Sequence, residues 1–203
     1  MKILFLTNNL DITFPLCEWI RQEEEVVLYE ESISAWQFSE NNVFYDIDFI
    51  ISYNYTHIIK QDVISLFPHK IINLHISMLP WNRGASPNIW SFLEATPSGV
   101  TIHEVDEGID TGDILLQQEI FFNFNTETLK GAYKKSHALI NKLFCENWNK
   151  IKNGLIKPTP QSKTEGSIHF KKDSIKFERI LNYDDTIEDF IWKYNDFQLR
   201  YKR

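Results

Sequence analysis

Short, almost uninterrupted apolar runs alternate with mixed polar stretches along this chain. Lys2 to Thr7, Val26 to Tyr29, Phe49 to Ser52 and Lys70 to Leu74 read as strands. Their polar positions do not alternate, so both faces of each are expected to be covered, as in parallel sheets sandwiched by helices. Helix signals fall between them, one after Thr13 with Pro15 near its first turn and one from Lys60 to Leu66 stopped by Pro68. The pattern continues with a helix over Pro87 to Glu94 and strands over Val100 to Val105 and Ile114 to Ile120. A long helix then runs from Thr126 to Lys152, its apolar stripe read as Leu129, Tyr133, Ala138, Leu139, Leu143, Phe144 and Trp148. Beyond Pro158 and Pro160, Ser167 to Phe170 and Ile175 to Ile180 flank the turn-like Lys172-Asp173-Ser174 and read as a hairpin, with a closing helix over Asp184 to Tyr194. The expected fold is α/β, a doubly wound, mostly parallel Rossmann-like sheet over residues 1–156. A C-terminal extension of hairpin plus helix is expected over residues 157–203.

Composition narrows the classes. A chain of 203 residues with 43% hydrophobic content is long enough to bury a sizeable core. No apolar run approaches membrane-spanning length, and MKILFLTNNL reads as a first strand rather than a signal peptide, so no membrane role and a cytoplasmic location are expected. Cys17 and Cys145 lie far apart and read as reduced thiols. The formal charge is -7, with 11 basic and 20 acidic side chains in residues 1–156 against 10 and 8 in residues 157–203. An acidic body repels phosphate backbones, so no nucleic-acid partner is expected. Glu30 and Glu31 follow the second strand where a ribose-binding acid would sit, yet Thr7-Asn8-Asn9-Leu10 replaces any G-x-G-x-x-G after the first, which argues against NAD.

Candidate chemistry concentrates between Ile71 and Gln117. Asn73 and His75 are one residue apart in a strand and so share a face, and Asp110 closes the short loop EVDEGID. An amide, an imidazole and a carboxylate converging at strand ends suit acyl transfer, with roles as oxyanion donor, proton carrier and orienting anion. His103 in VTIHEV could be imagined as a metal ligand with His75 and Asp106, but the spacing fits no metal motif and a packed or hydrogen-bonded strand histidine is expected. His69, His137 and His169 read as solvated or helix-face residues, and Trp90 as core. Arg83 has two open readings, recognition of a phosphate or carboxylate and pinning of its loop through backbone carbonyls.

The same stretch resembles the signature of the folate-dependent formyltransferases. The match runs through N-x-H-x-S-x-L-P as Asn73, His75, Ser77, Leu79 and Pro80, R-G-A-x-P as Arg83 to Pro87, G-V-T-I-H as Gly99 to His103, and D-E-G-x-D-x-G-D as Asp106 to Asp113. The resemblance implies 10-formyltetrahydrofolate as co-substrate, an amine acceptor and no metal. It implies Asn73 as donor to the tetrahedral oxyanion with protonated His75 assisting, and Asp110 holding the imidazole and an ordered water. It places the reduced folate against Tyr55, Thr56, His57, Ile58, Val105 and Asp106, and the acceptor near Asn9, Trp81 and Arg83. Among subfamilies, methionyl-tRNA formyltransferases carry a C-terminal tRNA-binding domain not seen here, and glycinamide ribonucleotide formyltransferases open with a Gly-Ser-Asn loop where this chain has Thr7-Asn8-Asn9. LPWNRGASPNIW and GSIHFKKD instead resemble the small nucleotide-sugar N-formyltransferases of surface polysaccharide synthesis, which implies an aminosugar on a nucleoside diphosphate, expected to be a deoxythymidine one. The tail hairpin is expected to serve a homodimer rather than catalysis. A folate-binding regulatory protein and a hydrolase of the formyl donor are the competing classes.

Overall fold

The computed structural model describes residues 1–162 and 164–201. Four parallel strands, β1 (Lys2–Leu6), β2 (Glu25–Tyr29), β3 (Phe49–Tyr53) and β4 (Ile71–His75), lie in the order β2-β1-β3-β4. Two further strands extend this sheet antiparallel on the β4 side, the outer of them half-exposed: a short β5 (Arg83–Gly84) lies elsewhere, and then come β6 (Gly99–Glu104) and β7 (Ile114–Glu119). The expected α/β class and mainly parallel sheet are therefore observed.

The burial of Ile3 to Leu6 in β1 and of all of β3 has a direct cause, since each face carries its own apolar cluster. Ile3, Phe5, Ile51, Tyr53, Ile72 and Leu74 pack under α1 (Leu10–Ile20) and the long helix at residues 129–152, while Leu4, Leu6, Ile50 and Ile71 pack on the other face with Phe44, Val63 and Phe67. α1 starts at Leu10 rather than after Thr13, and Pro15 lies inside it. α2 (Gln61–Ile64) and α3 (Pro87–Leu93) follow in chain order, and α4 (Leu129–Lys152) is capped by the Thr128 hydroxyl, which accepts from the Gly131 amide at 3.0 Å. The buried stripe of α4 contains Leu129, Ala132, Ser136, Ile140, Leu143, Phe144, Trp148 and Ile151. Ala138 is exposed, off that stripe by the 3.6-residue period.

The tail corrects the hairpin expectation. No hairpin forms over residues 167–180: β8 (Ile168–His169) pairs in parallel with β5, and Ile175–Glu178 is a short helix, α5, after a 3-10 turn at Lys171–Ser174. The closing helix α6 (Ile187–Tyr201) packs Ile187 and Phe190 against Ile89, Trp90 and Phe92 of α3. His137 and His169, expected on solvated or helix faces, are 4% and 8% exposed.

His137 sits under the sheet with its Nδ1 2.5 Å from the Tyr53 hydroxyl, and burial pushes its pKa down to about 4. A histidine buried neutral gives no pH dependence while both states are neutral. Below pH 6.5 the unfolded chain takes up the proton first, so stability should fall as the pH drops from 6.5 towards 4. The expected loss is about 2–3 kcal/mol by pH 4.5, measured as urea-unfolding free energy. A flat profile between pH 7 and 4.5 would contradict it.

Candidate active site

The carboxyl ends of β1, β3 and β4 open into a cleft of about 700 Å³, within the range of small-molecule sites and beside the point where strand order reverses. Asn8 ties these ends together where a glycine-rich turn would otherwise stand. Its Nδ2 donates to the Glu30 carbonyl at 2.8 Å, and its Oδ1 accepts from the Thr56 amide and hydroxyl at 2.8 and 2.9 Å.

Asn73 and His75 project from β4 on the face opposite Ile72 and Leu74, as the strand period requires. Asp110 comes to meet them from the loop between β6 and β7, with a positive φ of 51°. Three contacts hold it: Oδ1 accepts from Asn73 Nδ2 at 3.0 Å, Oδ2 accepts from the Gly84 amide at 2.8 Å, and its carbonyl accepts from Gln161 Nε2 at 2.9 Å. The loop beneath is closed by Asp106 Oδ1, which accepts from the Thr111 hydroxyl and the Gly108 amide. The three residues singled out in sequence thus converge at one end of the cleft.

His75 is 6% exposed, and its Nε2 lies 3.0 Å from the Asn82 carbonyl. A carbonyl only accepts, so Nε2 carries the proton and Nδ1 is the basic atom. Nδ1 faces Asp110 Oδ2 at 3.6 Å, beyond a direct hydrogen bond. Burial pushes the His75 ring below its ordinary pKa, against the opposing pull of Asp110. Burial pushes the Asp110 carboxyl up, but the His75 and His103 rings, in the protonated forms they take in acid, and the Gly84 amide outweigh it and hold it well below the usual carboxylate range. Burial thus favours a neutral imidazole beside a carboxylate before reaction. Proton uptake at Nδ1 would form a cation held between that carboxylate and the Asn82 carbonyl.

His103 is the packed, hydrogen-bonded strand histidine that the sequence suggests, and its partner is Asn73. The two residues are antiparallel partners, and His103 Nδ1 donates to the Glu104 carbonyl at 2.7 Å, which leaves Nε2 of the neutral ring as an acceptor 3.2 Å from Asn73 Nδ2 and 3.4 Å from Asp110 Oδ1. One amide hydrogen of Asn73 is held by Asp110 and the other shared with His103. A developing oxyanion would take over the second. The β4–β6 register carries this relation, and no local pattern in VTIHEV reveals it.

Of the other expected site residues, Tyr55, Thr56, His57, Ile58, Val105, Asp106 and Asn9 line the cleft. Trp81 and Arg83 do not. The Arg83 guanidinium donates to Gln161 Oε1 at 3.1 and 2.8 Å, and the Gln161 amide donates to the Asp110 and Gly112 carbonyls. Arg83 therefore pins the loop by way of a tail glutamine, a variant of its second reading. His169, Phe170, Lys171 and Tyr183 also line the cleft, so the tail expected to serve a dimer forms part of the site's wall. Among the described residues no group of three or more His, Cys, Asp or Glu is arranged to hold a metal, and no helix is long and apolar enough to cross a membrane. A second hollow of about 300 Å³ between His69, Glu104 and Ile151 gathers none of this chemistry.

Gly84 links tail and site. Its φ is +86°, its amide anchors Asp110, and an added Cβ would lie 2.2 Å from the His169 carbonyl oxygen. Backbone atoms cannot swing aside as a side chain does. Gly84→Ala should therefore displace β8 and loosen Asp110, lowering turnover about 100-fold, the scale of one misplaced catalytic group. Turnover within threefold of the parent would show that this strand pair does not set the geometry.

Residues 23–147, more than half of the chain, match the family described as formyl transferase. A formyltransferase from Anoxybacillus kamchatkensis, PseJ, solved with UDP-4,6-dideoxy-4-formamido-L-AltNAc and tetrahydrofolate, is 40% identical with a TM-score of 0.83, the match covering 96% of this chain and 100% of that one. Methionyl-tRNA formyltransferase of Thermodesulfovibrio yellowstonii is 35% identical over 142 residues, 68% of this chain and 44% of its own length. That of Kosmotoga olearia is 41% identical over 153 residues, 68% of this chain and 48% of its own. The chain spans about half the length of these curated relatives.

Proposed function

The chain belongs to the formyl transferase family, and on that premise we propose that it transfers a formyl group from 10-formyltetrahydrofolate to the amine of an aminosugar linked to a nucleoside diphosphate, a step suited to surface polysaccharide synthesis. The observation that carries this reading is the likeness, over nearly the whole of both chains, to a formyltransferase solved with a formamido-sugar nucleotide and tetrahydrofolate. That relative favours a uridine nucleotide over the deoxythymidine one expected from sequence.

In this reading the neutral amine attacks the formyl carbon, and the carbonyl oxygen becomes an oxyanion. Asn73 Nδ2 exchanges its hydrogen bond with His103 for one to that oxygen. The proton released by the amine passes to His75 Nδ1, where Asp110 stabilises the imidazolium. Collapse of the intermediate breaks the bond to the folate nitrogen, which takes the proton back, giving tetrahydrofolate and the formamide. The folate pterin is assigned to the side lined by Tyr55 to Ile58, Val105 and Asp106, and the acceptor to the side of Asn9.

The methionyl-tRNA relatives supply the second reading, with tRNA as acceptor. The test is donor consumption with UDP- and dTDP-linked aminosugars, glycinamide ribonucleotide and initiator methionyl-tRNA offered separately. Turnover with an aminosugar nucleotide and none with the other two is expected. Turnover confined to methionyl-tRNA or to glycinamide ribonucleotide would replace the acceptor assignment, and folate binding without turnover would indicate a regulatory protein.

A further inference from the structure

The cleft is lined by the carboxylates Asp106 and Asp110. Among the described residues lining it, Lys171 is the one lysine or arginine, and no ion pair holds it there. Its neighbours on the tail are occupied: Lys172 lies over the Phe170 ring at 5.6 Å, and Lys176 lies over Trp90 and 3.8 Å from Asp173. The position of Lys171 is built, since His169 stacks on Trp90 with centroids 4.0 Å apart and pairs with Gly84, whose amide holds Asp110. Lys171 thus follows two residues, at most about 7 Å of backbone, after a residue locked to the catalytic loop. Asn88 also lines the cleft, is 7% exposed, and carries an Nδ2 donor without a partner. A buried donor left unpaired is costly, and one lining a cleft is explained if a ligand acceptor meets it.

We propose that the tail segment His169–Lys171, docked on α3 by the Trp90 stack, is the subsite for the diphosphate of the acceptor, with Lys171 as its cation and Asn88 as a donor to the adjoining sugar. The inference rests on the aminosugar-nucleotide reading. Such a substrate offers an amine to Asp110 and a phosphate anion to Lys171, which line the same cleft. It also gives the basic run FKKDSIK a task in an otherwise acidic chain.

The test uses the full chain with tetrahydrofolate, titrated with UDP in a calorimeter, alongside kinetics with a UDP-linked 4-amino-4,6-dideoxysugar. Lys171 is exposed, so its replacement should not disturb folding. Lys171→Ala should weaken UDP binding and raise the acceptor KM about 10- to 100-fold, the scale of one charge-assisted contact. The loss should fall on the acceptor KM rather than on kcat or the donor KM, and Lys171→Arg should recover most of it. Equal UDP binding by Lys171→Ala and parent, or none by the parent, would overturn the subsite. If the parent transfers formyl and Lys171→Ala matches it in acceptor KM, the subsite fails and the function stands. If the parent binds UDP through Lys171 yet formylates no aminosugar nucleotide, the function fails and the subsite stands.

Discussion

Asp110→Asn should lower formyl transfer about 1,000-fold, within the range for loss of positioned proton transfer, while the circular dichroism spectrum stays that of the parent. The substitution keeps an acceptor for the Gly84 amide and removes the charge. That charge stabilises the protonated His75, so proton acceptance from the amine becomes less favourable. It also replaces an oxygen facing Asn73 Nδ2 by a group that can present a donor, which frees the Asn73 amide from its fixed orientation. Turnover within a few-fold of the parent would remove Asp110 from the chemistry and leave it only the task of shaping its loop.

The second large effect concerns His75. His75→Ala should abolish measurable transfer, a loss of about 100- to 10,000-fold from proton transfer alone. In the parent, kcat should fall on the acid side of a pKa below 6.5, because burial depresses the ring and the protonated form cannot accept the amine proton. Asp110 pulls that pKa upward, so in Asp110→Asn the residual activity should keep its acid limb at lower pH than the parent. A limb that moves upward in that variant, or persists unchanged in His75→Ala, would assign the titration to another group.

The residues that were legible in sequence share one property: their relation to each other is local or carried by a motif. β1, β3 and the start of β4 show as short, mostly apolar runs because both sheet faces are covered, and Asn73 and His75 share a face by the period of a strand. Asp110 was visible as the close of a short loop, and the family signature singled it out as the partner of His75, since nothing local says that its loop folds back on β4. What escaped depends on contacts between distant segments. Gln161 clamps the Asp110 loop from 51 residues away. The pairing of β5 with β8 turns GSIHF from a hairpin arm into part of the cleft wall. IKFERI was misread because Ile175, Phe177 and Ile180 are too few positions to separate a short helix from a strand. Arg83 was visible as a cation, but whether it meets substrate or protein depended on Gln161, which local sequence does not show.

The most direct measurement follows the formyl carbon itself. 10-Formyltetrahydrofolate labelled with 13C in the formyl group would be incubated with the enzyme and a UDP-linked 4-amino-4,6-dideoxysugar, and the products read by mass spectrometry and carbon NMR. The account predicts one labelled formyl group per sugar nucleotide, bonded to the sugar nitrogen, with tetrahydrofolate formed in equal amount. Labelled formate accumulating beside an unmodified sugar nucleotide would contradict it.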